Sequence, residues 1–455
     1  MKNNRSLFWC TIQRMGDLFK TIFGAFAGPL IMLAGLGMMY YVFSLLQVNI
    51  EPILAIVIAT SPIWLPTILF YILFEQWQEF TQDNFTFNQG RTTLRIKLPQ
   101  EVFKSPEAME SVFAQIHNPY SCDNLMQAYL DGKHPQLYSF ELVSYGGDVR
   151  FYANVPTKKI KNALEAQLYA QYPGIEVVEE KVDYAAEVKW DPEEWEMISF
   201  HMGKKEDEVL PIKTYIDYGM EKLPKEEFKF EPMAPMIEHL GKAKPHERVW
   251  IQFLCKPHVK KTFKAGSLTA AGTWEKKAAA KINELMGRDK GKLGPEETES
   301  RPVLTMNERD TIGAIERNVG KYAFEVGIRA MYISKAGQFD AEMIGPLLKS
   351  FTQYDIMGRN GIGVRWRTDF DYNWLSDRSG RRKLKMKKDE LEAYKLRKYS
   401  EADKKTKVDA TKVMSVEELA TVYHIPGTAV VTPNLTRVES NRKEAPANLP
   451  TGNLQ

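Results

Sequence analysis

The chain has 455 residues and a mass of 52.2 kDa, and its 44% hydrophobic and 26% charged content excludes global disorder or an all-over coiled coil; the length suits about three folded units. Its 61 basic and 58 acidic residues leave a net charge of +3, too near balance for a protein that coats nucleic acid uniformly, so any cationic function has to be local. Cys10, Cys122 and Cys255 are odd in number and far apart, which excludes a disulfide framework or a paired-cysteine metal knuckle and points to a reducing, cytosol-facing bulk.

The mean hydropathy of −0.36 conceals two apolar stretches near the amino terminus. No residue from 21 to 50 is charged, and 22–46 exceeds the roughly 20 apolar residues that cross a bilayer. After Gln47-Val48-Asn49-Ile50-Glu51, a second uncharged run, 52–74, is also long enough. The pair predicts a transmembrane helical hairpin within 1–80; a cleaved signal peptide is the competing reading of the first run, but that run is too long and a second follows at once. Lys2, Arg5, Arg14 and Lys20 against Asp17 precede the first span, while the connection has only Glu51, so the positive-inside rule puts both ends in the cytosol. Gly24 and Gly28 match a GxxxG helix-contact spacing that also arises by chance, and Pro62 and Pro66 fall inside the second span.

Beyond residue 80 the pattern changes to alternating strands and helices. Residues 91–98 alternate as a strand, and Ser105-Pro106-Glu107 predicts the start of a helix to 117 with Met109, Val112, Phe113 and Ile116 buried. Strands 138–145 and 148–155 flank Gly146-Gly147, a two-residue hairpin signal. A helix over 157–172 and a strand over 175–180 complete the order strand, helix, hairpin, helix, strand, which predicts a ferredoxin-like (split βαβ) domain over 85–185. A second α/β unit of related kind is expected over 190–370, with strands at 197–202, 248–255 and 322–333 and helices at 232–241, 273–286, 306–319 and 340–351. The expected fold is thus α+β: a transmembrane hairpin, two ferredoxin-like units and a basic helical arm.

The arm lies within 371–430. Between residues 378 and 407 there are thirteen Lys or Arg and five Asp or Glu, so this segment alone outweighs the net charge of the chain. Arg381, Arg382, Lys383, Lys385, Lys387 and Lys388 are the candidate contacts to nucleic-acid phosphates or to anionic lipid headgroups. The third reading is a solvated helix, with Glu390, Glu392, Lys395 and Arg397 as interleaved surface charges. Ser415-Val-Glu-Glu418 reads as a capping box opening a short helix that stops at Ile425-Pro426-Gly427, and 431–455 reads as a linker.

Signatures of catalysis are missing from the sequence. No Gly-x-x-x-x-Gly-Lys-Ser/Thr phosphate loop, Gly-x-Ser-x-Gly or His-Glu-x-x-His occurs, and the glycine-rich run Gly358-Arg-Asn-Gly361-Ile-Gly363 follows a helix, so it reads as a turn. His239, His246, Cys255 and His258 fit no zinc spacing, and Cys255 in an apolar strand reads as a plain buried thiol. No catalytic residue, cofactor or metal is therefore expected.

The segments MSVEELATVYHIPG (414–427) and VTPNLTRVESNRKEAPANLP (431–450), with 230–257 around Trp250-Ile-Gln and FEVGIRAMYIS (324–334), resemble the membrane-anchor and accessory region of type IV secretion and conjugative DNA-transfer ATPases of the FtsK/HerA class, as in small uncultured bacteria. The resemblance covers 90–450. In that family the last segment leads into an ATPase domain with a Walker A loop, whereas this sequence stops at Gln455, so no catalytic residue carries over. The resemblance implies a non-catalytic component of the bacterial inner membrane, facing the cytosol and either encoded apart from its motor or cut short before it. Its expected partners are the membrane through two spans, a motor ATPase or other secretion subunits, DNA through the basic arm, and further copies of the chain. The alternative is a membrane scaffold or receptor for proteins with no nucleic-acid role.

Overall fold

The computed structural model describes residue 38 and residues 51–99, 104–120, 122–220, 231–259, 274–287, 304–368, 380–398, 411–427 and 437–438. The chain divides into two compact units, residues 1–77 and 78–455. In the first, the described structure is residue 38 and the apolar part of α1, Glu51–Gln89. Pro62 removes the amide that would bond the Ile58 carbonyl, and the Ser61 hydroxyl donates to that carbonyl instead, at 2.7 Å.

The second unit is built on one sheet. Its strands are β1 (Arg91–Pro99), β2 (Tyr138–Tyr145), β3 (Asp148–Pro156), β4 (Glu176–Glu180), β5 (Trp195–Lys204), β6 (Glu247–Pro257), β7 (Ala323–Lys335), β8 (Ile362–Arg367) and β9 (Lys412–Ser415), all paired antiparallel, and the two-residue β10 (Arg437–Val438) parallel to β1. Gly146 and Gly147 have φ of 55° and 95°, the left-handed geometry of a tight hairpin turn. In space the first four strands run β4-β1-β3-β2 and the next four β6-β7-β5-β8, so each half keeps the strand order of a split βαβ unit. The halves meet where β2 pairs β6 over eight residue pairs, Tyr138↔Cys255 to Tyr145↔Arg248. Equivalent strands thus lie antiparallel across a pseudo-twofold axis.

Two parts of the expected fold are corrected. Among the described residues one helix, α1, is long and apolar enough to cross a membrane, not a hairpin of two; the other expected span, 22–46, and the GxxxG glycines lie outside the described residues. The two α/β units are not separate bodies but halves of a continuous antiparallel sheet, because β2 and β6 are the open edges of their respective halves and each satisfies the other's backbone groups.

One face of the sheet is apolar and carries the helices. Leu94, Phe140, Phe151, Ile251, Phe253, Ile328 and Ala330 point into a core shared with α2 (Glu107–Ile116), α4 (Ile160–Gln171), α5 (Ala234–Gly241) and α8 (Ile344–Lys349); α3 (Leu125–Tyr129) is a single turn capped by the Asn124 side chain. α6 (Trp274–Leu285) and α7 (Met306–Val319) pack as a pair inserted between β6 and β7. The last helix, α10 (Val416–Val422), opens on the Ser415 capping box and is buried at every residue. Tyr423 ends it among the rings of Phe140, Phe151 and Phe253, 5.3, 6.0 and 5.6 Å away. β9 pairs β7 while α10 packs on α2, so this segment braces both halves.

Candidate functional site

The opposite face of the sheet carries a polar row. Because neighbouring strands align side chains of one face, the pairings Tyr152↔Glu141, Glu141↔Gln252, Gln252↔Arg329, Arg329↔His201 and His201↔Trp366 line these residues up across five strand boundaries. Glu141, Gln252 and Arg329 are fully buried. A row of buried polar groups needs partners, and α9 (Arg381–Lys395) supplies them.

The carboxy-terminal half of α9 lies on the row. Glu390 takes the Arg329 Nε at 2.7 Å and His201 Nε2 at 2.5 Å, while Arg329 also donates to Gln252 Oε1 at 3.1 Å and to the Lys398 carbonyl at 2.6 Å. Tyr394 stacks on Trp250 with centroids 5.1 Å apart and meets the Tyr184 hydroxyl at 2.7 Å. Just past the helix, Arg397 adopts a left-handed φ of 53°, which returns its guanidinium to Glu141 in two bonds of 3.0 and 3.2 Å and to Asp183. Such a two-pronged pairing is among the stronger hydrogen-bonded contacts.

Glu141 also accepts from Ser139, Tyr184 and Gln252. Burial alone would raise its carboxyl, but the Arg397 charge and these donors hold it below the usual carboxylate range. Its contribution to stability is therefore complete above the ordinary value of 4.5 and is lost as the pH falls through the depressed folded value. Denaturant titrations at pH 7, 5, 4 and 3 are expected to show falling stability only in the acid range, less steeply in Glu141→Gln. Equal acid slopes in the two proteins would contradict this role.

The six candidate contacts occupy the other half of the helix. Arg381, Arg382, Lys385 and Lys388 are exposed and Lys383 and Lys387 half-buried; Lys388 lies 3.8 Å from Glu392. The first eight residues of α9 hold all six cations and no acid. Cations at this end repel the positive end of the helix dipole, each costing about 0.3–1 kcal/mol near the terminus. The helix therefore stands because its other half is docked, and Arg381, Arg382, Lys385 and Lys388 of its basic half are exposed.

The reading of Glu390 and Arg397 as surface charges is thereby corrected: both are buried, because each meets an opposite charge on the sheet. Glu392 is exposed, and Lys395 is half-buried and donates to the Val188 carbonyl at 2.5 Å. The available signal was Leu391 and Tyr394, an apolar pair three residues apart on a helix that is otherwise charged.

A family model for a domain of unknown function (DUF8128) matches residues 75–357, more than half of the chain. The chain belongs to the DUF8128 family. No curated protein matches it. The DUF8128 match takes in β1 to β7 and stops before β8, so α9, β9 and α10 lie beyond it although they cover or complete its sheet.

Other groups in this DUF8128 chain are less suited to bind a ligand. Cys255 is a buried thiol of the apolar core, pushed up by burial; His258 pairs with Glu325 at 3.3 Å, and His246 lies 3.8 Å from Glu247. Among the described residues no three metal-ligating side chains gather. Gly358, with φ of 82°, lies in the turn before β8. A cleft of about 290 Å³ opens where the β1–β3 ladder stops at Ile96↔Phe151, lined by Arg95, Lys97, Arg150 and Arg437. There Glu176 lies 3.0 Å from Lys97, Asp148 2.7 Å from Arg150 and Glu180 4.0 Å from Arg95, so acids stand beside three of its four cations.

Proposed function

We propose that the chain is a membrane-anchored, non-catalytic component of a type IV secretion or conjugative DNA-transfer apparatus, and that its sheet domain holds α9 as a fixed contact for the DNA backbone. The observation that carries the reading is the split of α9 into a docked half and a basic half. A helix that keeps six cations in its first two turns, against its own dipole, is organised for an anion. The resemblance of 230–257, 324–334 and 414–450 to the accessory region of DNA-transfer ATPases supplies the choice of DNA as that anion. Contacts of Lys and Arg to phosphate carry no base information, so the contact is expected to be independent of sequence and sensitive to salt.

The test is fluorescence anisotropy of a labelled duplex with the full chain in nanodiscs of neutral lipid, across a salt series. Wild type is expected to bind at low salt with a steep log–log dependence. The variant carrying Arg381→Gln, Arg382→Gln, Lys385→Gln and Lys388→Gln is expected to lose about 3–4 from that slope, at roughly 0.9 per phosphate contact. Binding unchanged in the variant, or absent at low salt, would sink the DNA reading and favour the scaffold for protein partners. A variant that keeps DNA binding but loses a preference for anionic nanodiscs would assign the arm to lipid.

A further inference from the structure

From Gln78 onward α1 belongs to the second unit, and the loop that precedes β2 is fixed to it there. Gln78 Nε2 donates to the Ala128 carbonyl at 3.0 Å, and Thr86 Oγ1 lies 3.3 Å from His134 Nε2. Gly132 approaches so closely that a Cβ there would fall 2.3 Å from the Thr81 carbonyl carbon. The single turn α3 is tied to the helix in this way through Ala128, which is 1% exposed. Its own polar groups fix the rest of it. Asn124 Oδ1 accepts from the Gln127 amide at 2.9 Å, and Gln127 Oε1 accepts from the Asp123 amide at 3.1 Å and from Lys133 Nζ at 3.2 Å.

What this rigid turn presents is aliphatic. Leu125, Met126 and Leu130 are 45%, 62% and 50% exposed, large apolar side chains on a backbone already ordered, so little further entropy is lost when they are covered. Their place along the chain indicates the cover. The uncharged run of α1 ends at Phe74, four residues before Gln78, and four residues span at most roughly 14 Å in any conformation. The headgroup layer on each side of a bilayer is itself about 5–8 Å deep. However the two units are placed, α3 is therefore tethered within reach of that layer. We propose that α3 and Leu130 form a second membrane contact, with Leu125, Met126 and Leu130 inserted at the boundary between headgroups and acyl chains. This rests on α1 standing in a bilayer, as in the proposed function, and not on the DNA contact.

A protein partner is the poorer occupant. A specific protein interface takes about 20–30 residues a side, and its energetic centres favour Trp, Tyr and Arg while leucine is under-represented. A few aliphatic side chains on a short segment are, by contrast, enough to dip into the interface beside a helix that already anchors the chain. The charges nearby select the lipid. Asp123 and Asp131 are exposed at the two ends of the segment, where they stay in the headgroup water while the aliphatics between them insert. Anionic headgroups would repel them, so the surface that fits is a neutral, zwitterionic one.

The test places an environment-sensitive fluorophore on the full chain in phosphatidylcholine vesicles. Cys10→Ser and Cys122→Ser remove the other reactive thiols, and the fully buried Cys255 stays. Single cysteines are introduced by Leu69→Cys, inside the uncharged run, and by Met126→Cys or Leu130→Cys, two exposed positions that make the outcome independent of either variant alone. A nitroxide carried near the top of the lipid acyl chain is expected to remove most of the emission at all three positions, and iodide in the water to remove little. Quenching by lipid at 69 but at neither 126 nor 130 overturns the second contact and leaves the anchor standing. Shielding of 126 and 130 from iodide without quenching by lipid overturns it as well, since protein then covers the turn. If 69 itself is not quenched, the anchor fails and this contact falls with it. Replacing part of the phosphatidylcholine by phosphatidylglycerol is expected to leave the quenching at 126 unchanged or lower. Quenching that appears only with the anionic lipid would assign the approach to the basic half of α9 and count against α3.

Discussion

Arg329→Met is expected to cost about 3–5 kcal/mol of stability, because it strands Glu390 as a buried carboxylate without its guanidinium. The loss has a location. Glu390 and Tyr394 are the groups by which α9 holds the polar row, so the helix is expected to lift before the sheet melts. Hydrogen exchange should show the 381–398 amides losing protection while those of β6 and β7 keep it. A double variant, Arg329→Met with Glu390→Leu, is expected to recover much of the loss, since an apolar pair avoids the desolvation that a lone charge suffers. A single variant within about 1 kcal/mol of wild type in denaturant titration would mean that water reaches Glu390 and that the row is not a buried network.

Tyr423→Ala is expected to be similarly severe, at about 3–5 kcal/mol for an aromatic removed from a filled core. Its ring sits among Phe140 of β2, Phe151 of β3 and Phe253 of β6, on the apolar face where the two halves of the sheet join. Unlike loss of Arg329, loss of Tyr423 leaves a cavity between both halves, so the sheet should lose stability as a whole rather than release one helix. Tyr423→Phe, which gives up only a 3.4 Å hydrogen bond to the Tyr152 carbonyl, should lie within about 1 kcal/mol of wild type. If Tyr423→Ala left the denaturation midpoint unchanged, segment 411–427 would be an appendage and not a brace.

Local elements were legible because their causes are local. The hairpin at Gly146-Gly147 follows from two residues that accept left-handed φ, and the buried stripe of α2 from apolar residues three and four apart. Helix 306–319 and the Ser415 capping box appear with the bounds and partners the sequence predicts. Where local signals were weak, elements were missed: α3 is one turn long, and β8 and β9 are short strands whose pairing partners are distant in sequence. Ser105 does not cap the helix it precedes, since α2 begins at Glu107 after Pro106 with no side-chain cap.

The candidate site divides in the same way. Charge counting located the six cations of α9, because a solvated basic run needs no partner to be recognised. It did not separate Glu390 and Arg397 from Glu392, since ionisable residues on a short helix look alike until something faces them. Arg397 lies 256 residues from Glu141 and Glu390 189 from His201. The sequence by itself thus determined the apolar run of α1, the period of each strand and helix, and where the positive charge sits. Only the tertiary structure decided that β2 and β6 join two halves into one sheet, that 411–427 belongs to its core, and which half of the basic arm is buried. Those outcomes depend on unpaired strand edges and lone buried charges finding complements far along the chain, and the spacing of neighbouring residues holds no record of that search.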